Sequence, residues 1–367
     1  MQITDIAIYQ VDLPIKEGSY DWSGGQSFDA FDSTIVRLET LDDIVGWGET
    51  TTLGSAYLPA YARGVRAGIE ELAPTILGAD PTKPAVLNTR MDQQLRGHPY
   101  VKSAIDVACW DILGKVTGEP VMTLLGGDFE GGVPLYRAIS QADPATMADR
   151  VAKFREQGYR TFQLKTGVDP QSDAARIRTS RRRLEPGDTL IADANTGLTQ
   201  HEAIRLAKAV DDIDVYLEQP CANYGACLAV RQHTNLPFIL DESIDGIDAL
   251  MRAHRDAAMD VVNLKISKVG GLTKARQLRD LCVDLELAMI IEDTWASEIG
   301  TTAMVHLAQS TPPAYRFAST DFHHYNDITT AEGAPRVSGD TMSVGTAPGL
   351  GITPDREVLG EPIARFA

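Results

Sequence analysis

A length of 367 residues allows about two domains, and 43% hydrophobic residues supply a large core without disulfide staples. The net charge of −17 argues against binding nucleic acid through its phosphates and favours solubility. No apolar run approaches the roughly eighteen residues of a membrane span. The amino terminus lacks the basic and apolar regions of a signal peptide. The four cysteines, Cys109, Cys221, Cys227 and Cys282, have neither metal-like nor disulfide-framework spacing, so a reducing cytoplasm is the expected setting.

In chain order, residues 4–15 and 31–40 read as antiparallel strands, and the glycines of IVGWGET fit a turn and a closely packed third strand. Helical patterns follow at 57–76, 84–97 and 101–118. Together they make residues 1–125 an α+β domain. Asp106, Trp110, Asp111 and Lys115 recur at helical spacing, which suits packing or interdomain contact. Two loops stand out. Residues 18–32 mix aromatics, including Trp22, with glycines, as in a mobile flap; residues 51–59 carry Tyr57.

From residue 126 to 325 the rhythm changes. Short apolar runs end in Lys165, Asp193, Glu218, Asp241, Lys265 and Asp293, at intervals of about 23 to 28 residues, with helical patterns between them. That interval is one strand, one helix and two loops. Adding a first strand in GGVPLYRAIS and an eighth in YRFASTD gives an α/β (β/α)8 barrel whose strand ends share one mouth. Residues 326–367, rich in Gly and Pro, read as a return segment. On a strand, His323 and His324 point to opposite faces, so they would not share an ion.

One carboxylate at a strand end is commonly a helix cap. Three in succession, Asp193, Glu218 and Asp241, form an oxygen-only set suited to Mg2+. Lys165 and Lys265 flank them by one strand each way. Such a cation between two amines suits a small-molecule carboxylate substrate: its α-proton leaves to one lysine, an enediolate forms, and the other lysine serves as acid. Strand alternation puts Gln163 on the face of Lys165, Asn195 on that of Asp193 and Asn263 on that of Lys265. It also lets only one of Asp241 and Glu242 point inward. Asp293, Trp295 and Asp321 are candidates to receive a substrate cation by ion pairing and cation–π contact.

The ordered set GWGE, AIDVACWDILGK, LLGG, LKTG, DAN, LEQP, DES, NLKISKVGGL and PGLGI spans nearly the whole chain. It resembles the enolase superfamily, in the branch containing mandelate racemase and muconate lactonizing enzyme. The resemblance implies Mg2+ on Asp193, Glu218 and Asp241, and acid/base roles for Lys165 and Lys265. It implies a lysine partner for Glu242, loops that close over the mouth through residues such as Trp22 and Tyr57, a tail packed on the amino-terminal domain, and a homo-oligomer. Two positions depart from common family patterns. Gln163 replaces the first lysine of Lys-x-Lys, so burial, the cation and Lys265 must lower the pKa of Lys165. The eighth strand has Ser319-Thr320-Asp321 in place of an Asp-x-Asp that binds ammonium. The stretches SFDAFDSTIVRL and NLKISKVGGLTKARQLRDLC lean toward dehydratases of cis-3-hydroxy-L-proline. The alternatives are racemases or epimerases of proline-like amino acids or betaines, and muconate-cycloisomerase-like or dipeptide-epimerase-like activities.

Overall fold

A computed structural model describes the whole chain, Met1–Ala367. The capping sheet is built on β1 (Ile3–Pro14), whose two faces are both buried. Ile6 and Ile8 enter one apolar core while Ala7, Tyr9, Val11 and Leu13 enter another. After a short hairpin of β2 (Tyr20–Trp22) and β3 (Gln26–Phe28), β4 (Ala30–Thr40) pairs antiparallel with β1, and β5 (Val45–Thr51) pairs with β4. Helices α1 (Ala62–Ile76), α2 (Pro84–Gln94) and α3 (Pro99–Thr117) cover the outer face of this sheet. The glycines of GWGE set how closely α3 approaches. A Cβ on Gly46 would lie 2.2 Å from the Ala108 carbonyl oxygen, and one on Gly48 would lie 2.0 Å from that of Ala104.

The barrel begins after α4 (Val121–Leu124) and β6 (Val133–Pro134). Its units are β7 (Tyr136–Ile139) with α5 (Pro144–Glu156), β8 (Thr161–Lys165) with α6 (Pro170–Arg181), β9 (Thr189–Asp193) with α7 (Gln200–Ala209), and β10 (Tyr216–Glu218) with α8 (Tyr224–Arg231). Next come β11 (Phe238–Leu240) with α9 (Ile247–Arg255), β12 (Val261–Lys265) with α10 (Ile266–Val269) and α11 (Leu272–Asp284), β13 (Ala288–Glu292) with α12 (Glu298–Gln309), and β14 (Arg316–Ala318). The eight strands neighbour one another in chain order, β7 to β14. A parallel bridge between Leu135 and Ser319, with Tyr136 N–H donating to Ser319 at 2.8 Å, joins the last strand to the first. This is the expected closed architecture.

Helix α3 carries the dock between the two parts. Asp106 accepts from the Thr273 amide at 2.8 Å, Trp110 Nε1 donates to Thr273 Oγ1 at 2.9 Å, and Asp111 accepts from the amides of Trp47 and Leu350. A second dock is Glu49, which accepts from Ser297 Oγ and the Gly300 amide, each at 2.7 Å, at the start of α12. Its carboxylate meets the positive end of that helix.

Two expectations change here. The tail does not pack on the capping domain alone. Within it, β15 (Ala331–Glu332) pairs with β18 (Thr353–Pro354), and β16 (Arg336–Ser338) pairs with β17 (Thr341–Ser343), which joins β6 at the amino-terminal entrance of the barrel. After α13 (Arg356–Leu359), only β19 (Ala364–Phe366) adds to the capping sheet, beside β1. In addition, His323 and His324 lie in a 3-10 turn, not a strand, and their ring centroids are 4.2 Å apart. No helix is long and apolar enough to cross a membrane.

Candidate active site

Barrel geometry delivers the charged side chains to one end. Lys165, Asp193, Glu218 and Lys265 are the last residues of β8, β9, β10 and β12, and Asp241 directly follows β11. Strands β8 and β12 are second and sixth of eight, so the two lysines face each other across the mouth with the three carboxylates between them. Register adds pairings: Lys165 stands opposite Asp193, Asp193 opposite Glu218, and Lys265 opposite Glu292.

The two lysines differ in company. Lys165 Nζ donates to Asp193 Oδ2 at 2.6 Å. Lys265 Nζ is bound by both Asp241 and Glu292, the latter at 2.9 Å. Lys268, one helical turn further on, donates to the Asp241 carbonyl at 2.6 Å and to its Oδ1 at 2.8 Å. Glu218 is held by amides instead: Gln163 Nε2 at 2.8 Å and Asn263 Nδ2 at 2.9 Å, the latter also reaching Glu292 at 2.9 Å. Asn195 donates its backbone N–H to Asp193 Oδ1 at 2.8 Å and its Nδ2 to Glu242 at 3.2 Å.

All these residues are buried except Glu242, which is half-buried, and burial works against every charge. Glu218 is raised well above the ordinary carboxylate range by burial and then by Asp193, Asp241 and Glu292. Asp241 faces the same burial, but Lys265 and Lys268 outweigh it and hold the carboxylate low. Burial, Asp241 and Asp193 push Glu242 up to about 8. For both lysines burial lowers the pKa, yet the facing anions prevail: Asp193 and Tyr20 hold Lys165 up, and Asp241 and Glu292 hold Lys265 up. This is opposite to the lowered pKa expected of a base at position 165.

The carboxylates stand round the rim, close enough for Asp193, Asp241 and Glu292 to repel Glu218. No three acidic, histidine or cysteine side chains are gathered as an ion's ligands. Their fit to a hard divalent cation rests on chemistry: the donors are all oxygen, and mutual repulsion among buried carboxylates calls for positive charge. Nearby, Gln163 Oε1, Asn195 Oδ1, Glu242 Oε2 and Asn263 Oδ1 are buried with no hydrogen-bond partner.

Two capping-domain tyrosines reach the mouth. Tyr57 donates its hydroxyl to Asp241 Oδ2 at 2.9 Å, and its ring centroid lies 5.7 Å from Lys265 Nζ. Tyr20, absent from the sequence-derived candidates, has its ring centroid 5.8 Å from Lys165 Nζ. Its position in an aromatic, glycine-rich loop was the available signal. Trp22 is buried behind it, stacked on Phe28, and Trp295 packs on Tyr20 and Phe31 while Nε1 donates to Asn326. Both tryptophans therefore support the wall near Lys165.

Other candidates need correction. Asp293 has both oxygens taken by the Ser267 amide and hydroxyl and the Thr294 amide, and burial pushes it up to about 7. Its neighbour Glu292, the last residue of β13, is the inward carboxylate. Asp321 is engaged by Tyr159 at 2.6 Å, by His324 at 2.9 Å and by Arg137 at 3.6 Å. Arg137 stands opposite Phe162, whereas Ala138 stands opposite the inward Gln163, so Asp321 is tied to the outer face of β7. Glu242 pairs with Asn195 and not with a lysine.

Residues 146–358 match the family described as enolase C-terminal domain-like, and residues 26–126 match the mandelate racemase / muconate lactonizing enzyme N-terminal domain. The chain is 52% identical to a cis-3-hydroxy-L-proline dehydratase of Roseibium aggregatum over the full length of both proteins. A mandelate racemase/muconate lactonizing enzyme from Roseovarius nubinhibens superposes with a TM-score of 0.97 at 42% identity, covering 100% of this chain and 98% of that one. Another structure from that organism, described as complexed with magnesium, gives 0.97 at 37% identity with full coverage of both chains. Barrel, capping sheet and both family matches agree: the chain is an enzyme of the enolase superfamily, in its mandelate racemase and muconate lactonizing enzyme branch.

Proposed function

We propose that the protein is a Mg2+-dependent dehydratase of cis-3-hydroxy-L-proline. The observation that carries this reading is the placement of two buried lysines on opposite sides of three carboxylates. In that substrate the carboxylate and the 3-hydroxyl share one ring face, so the α-hydrogen and the hydroxyl lie on opposite faces. Removing both calls for a base on one side and an acid on the other. The full-length relative that carries the dehydratase name points to the same compound.

Lys165, paired with a single carboxylate, is assigned as the base at the α-carbon. Lys265, between Asp241 and Glu292, keeps its proton more firmly and donates it to the departing hydroxyl. Asp193, Glu218 and Asp241 would hold the cation, which would supply positive charge for the substrate carboxylate. Gln163 and Asn263 fix Glu218, while Lys268 and Tyr57 fix Asp241. Tyr20 and the rings behind it exclude water above Lys165. Loss of water leaves an enamine that tautomerises to a cyclic imine.

The aromatic wall also supports a second reading, epimerisation of a proline betaine, because ring faces attract quaternary ammonium groups. By family analogy we further propose a homo-oligomer. Incubation with cis-3-hydroxy-L-proline and, separately, hydroxyproline betaine tests the main reading. Imine from the first supports dehydration; inversion of the second with the first unchanged overturns it.

A further inference from the structure

Behind β10 lies a buried pair of thiols that the proposed chemistry does not use. Cys221 sits in the turn after that strand and Cys227 in the first turn of α8, both at 1% exposure or less. The Cys227 thiol donates to the Cys221 carbonyl at 3.3 Å, which brings the two cysteines into direct contact. Ala222, Asn223 and Gly225 beside them are exposed, so the sulfurs lie just beneath the surface. Cys109 and Cys282 are buried free thiols in α3 and α11.

One amide connects this pair to the carboxylate rim. Gln219, fully buried with a left-handed φ of 32°, follows Glu218 directly. Its Nε2 donates to the Cys221 carbonyl at 3.0 Å and to Ser243 Oγ at 2.7 Å, and lies 3.6 Å from Cys227 Sγ. Its Oε1 accepts from the Asp241 amide at 3.0 Å. Moving Cys221 or Cys227 therefore displaces the group that ties the end of β10 to Asp241.

We infer that Cys221 and Cys227 form a reversible disulfide under a two-electron oxidant such as hydrogen peroxide, and that this cross-link lowers turnover by shifting Gln219, a positioning residue for Asp241. One sulfur attacks a peroxide oxygen and the O–O bond breaks, giving a sulfenic acid and one water. The second sulfur attacks the first, the S–O bond breaks, and a second water leaves. Both thiol protons end in the two waters, the peroxide is reduced and the sulfurs are oxidised. A dithiol reductant reverses the change.

The effect on turnover rests on the function proposed above, whereas the cross-link does not, so two readouts are needed. Full-length protein with Mg2+ is treated with peroxide, and then intact mass, peptide mapping and kcat/KM are measured. The expected results are loss of two hydrogens, a Cys221–Cys227 peptide, and a fall in kcat/KM of about tenfold that dithiothreitol restores. Cys227→Ala should keep its activity through the treatment. Oxygen addition without a cross-link, or a cross-link elsewhere, overturns the site. A mapped Cys221–Cys227 disulfide with unchanged kcat/KM overturns the effect on turnover. If Cys227→Ala does not fold, mapping and kinetics on the unaltered protein still decide both points. If cis-3-hydroxy-L-proline is no substrate, kcat/KM is read on whichever carboxylate shows α-proton exchange.

Discussion

Tyr57 donates its hydroxyl to Asp241 across 184 residues of chain, at 2.9 Å. This bond brings a capping-domain loop into contact with the carboxylate that Lys265 and Lys268 also hold. A hydrogen bond to a charged group contributes about 1.5–3 kcal/mol. Tyr57→Phe should therefore lower kcat/KM by about 10- to 100-fold. An unchanged kcat/KM with lowered stability would assign Tyr57 to packing instead.

Asn263 bridges two buried carboxylates, Glu218 and Glu292, through one amide nitrogen. Asn263→Ala leaves both short of a donor. The Mg2+ concentration for half-maximal activity should rise by about 10- to 100-fold, measured by titrating metal into chelator-treated protein. An unchanged requirement would separate Asn263 from the cation site.

These side chains also mark how far the sequence could be read. The strand ends at Lys165, Asp193, Glu218 and Lys265 were legible because apolar runs stop at a charge with a regular interval. Choosing Asp293 over Glu292 failed because adjacent acids at a strand end face opposite ways, and only the pairing of Glu292 with Lys265 decides between them. The strand lengths offered a hint, since VVNLK and AMIIE align with Glu292 at the end. Asp321 was misread for a different reason: its partners Arg137 and Tyr159 are distant in sequence, and no local pattern shows that they claim it. Tyr20 and Lys268 likewise become functional candidates only through contacts between parts of the chain far apart.

The Glu49 dock gives a stability prediction. A Cβ on Gly300 would lie 2.8 Å from Ala296 Cβ and 3.0 Å from Glu49 Oε2. Overpacking of this kind costs about 1–3 kcal/mol. Gly300→Ala should lower the unfolding free energy by that amount in urea titration, and an unchanged midpoint would contradict the tight dock.

His306 predicts acid sensitivity. Its Nδ1 accepts from the Met122 amide at 3.2 Å and its Nε2–H faces the Leu350 carbonyl at 3.1 Å, which requires the neutral ring. Burial pushes its pKa down to about 4, and His323 is likewise pushed down to about 4. A depressed histidine contributes stability that is present above the unfolded value of about 6.5 and is lost as pH falls toward 4. For His306 this is about 3 kcal/mol. His306→Gln should flatten the decline in unfolding free energy between pH 6.5 and 4, while an identical slope would exclude His306 as a contributor.

The central claim is a base on one side of the substrate and an acid on the other. Proton NMR in D2O, with Mg2+ and cis-3-hydroxy-L-proline, tests it through Lys165→Ala and Lys265→Ala. The assignment predicts that Lys265→Ala still exchanges the α-hydrogen for deuterium but eliminates water at least about 100-fold more slowly. Lys165→Ala should do neither. Exchange retained by Lys165→Ala and lost in Lys265→Ala would reverse the two roles, and full elimination by either variant would contradict the mechanism itself.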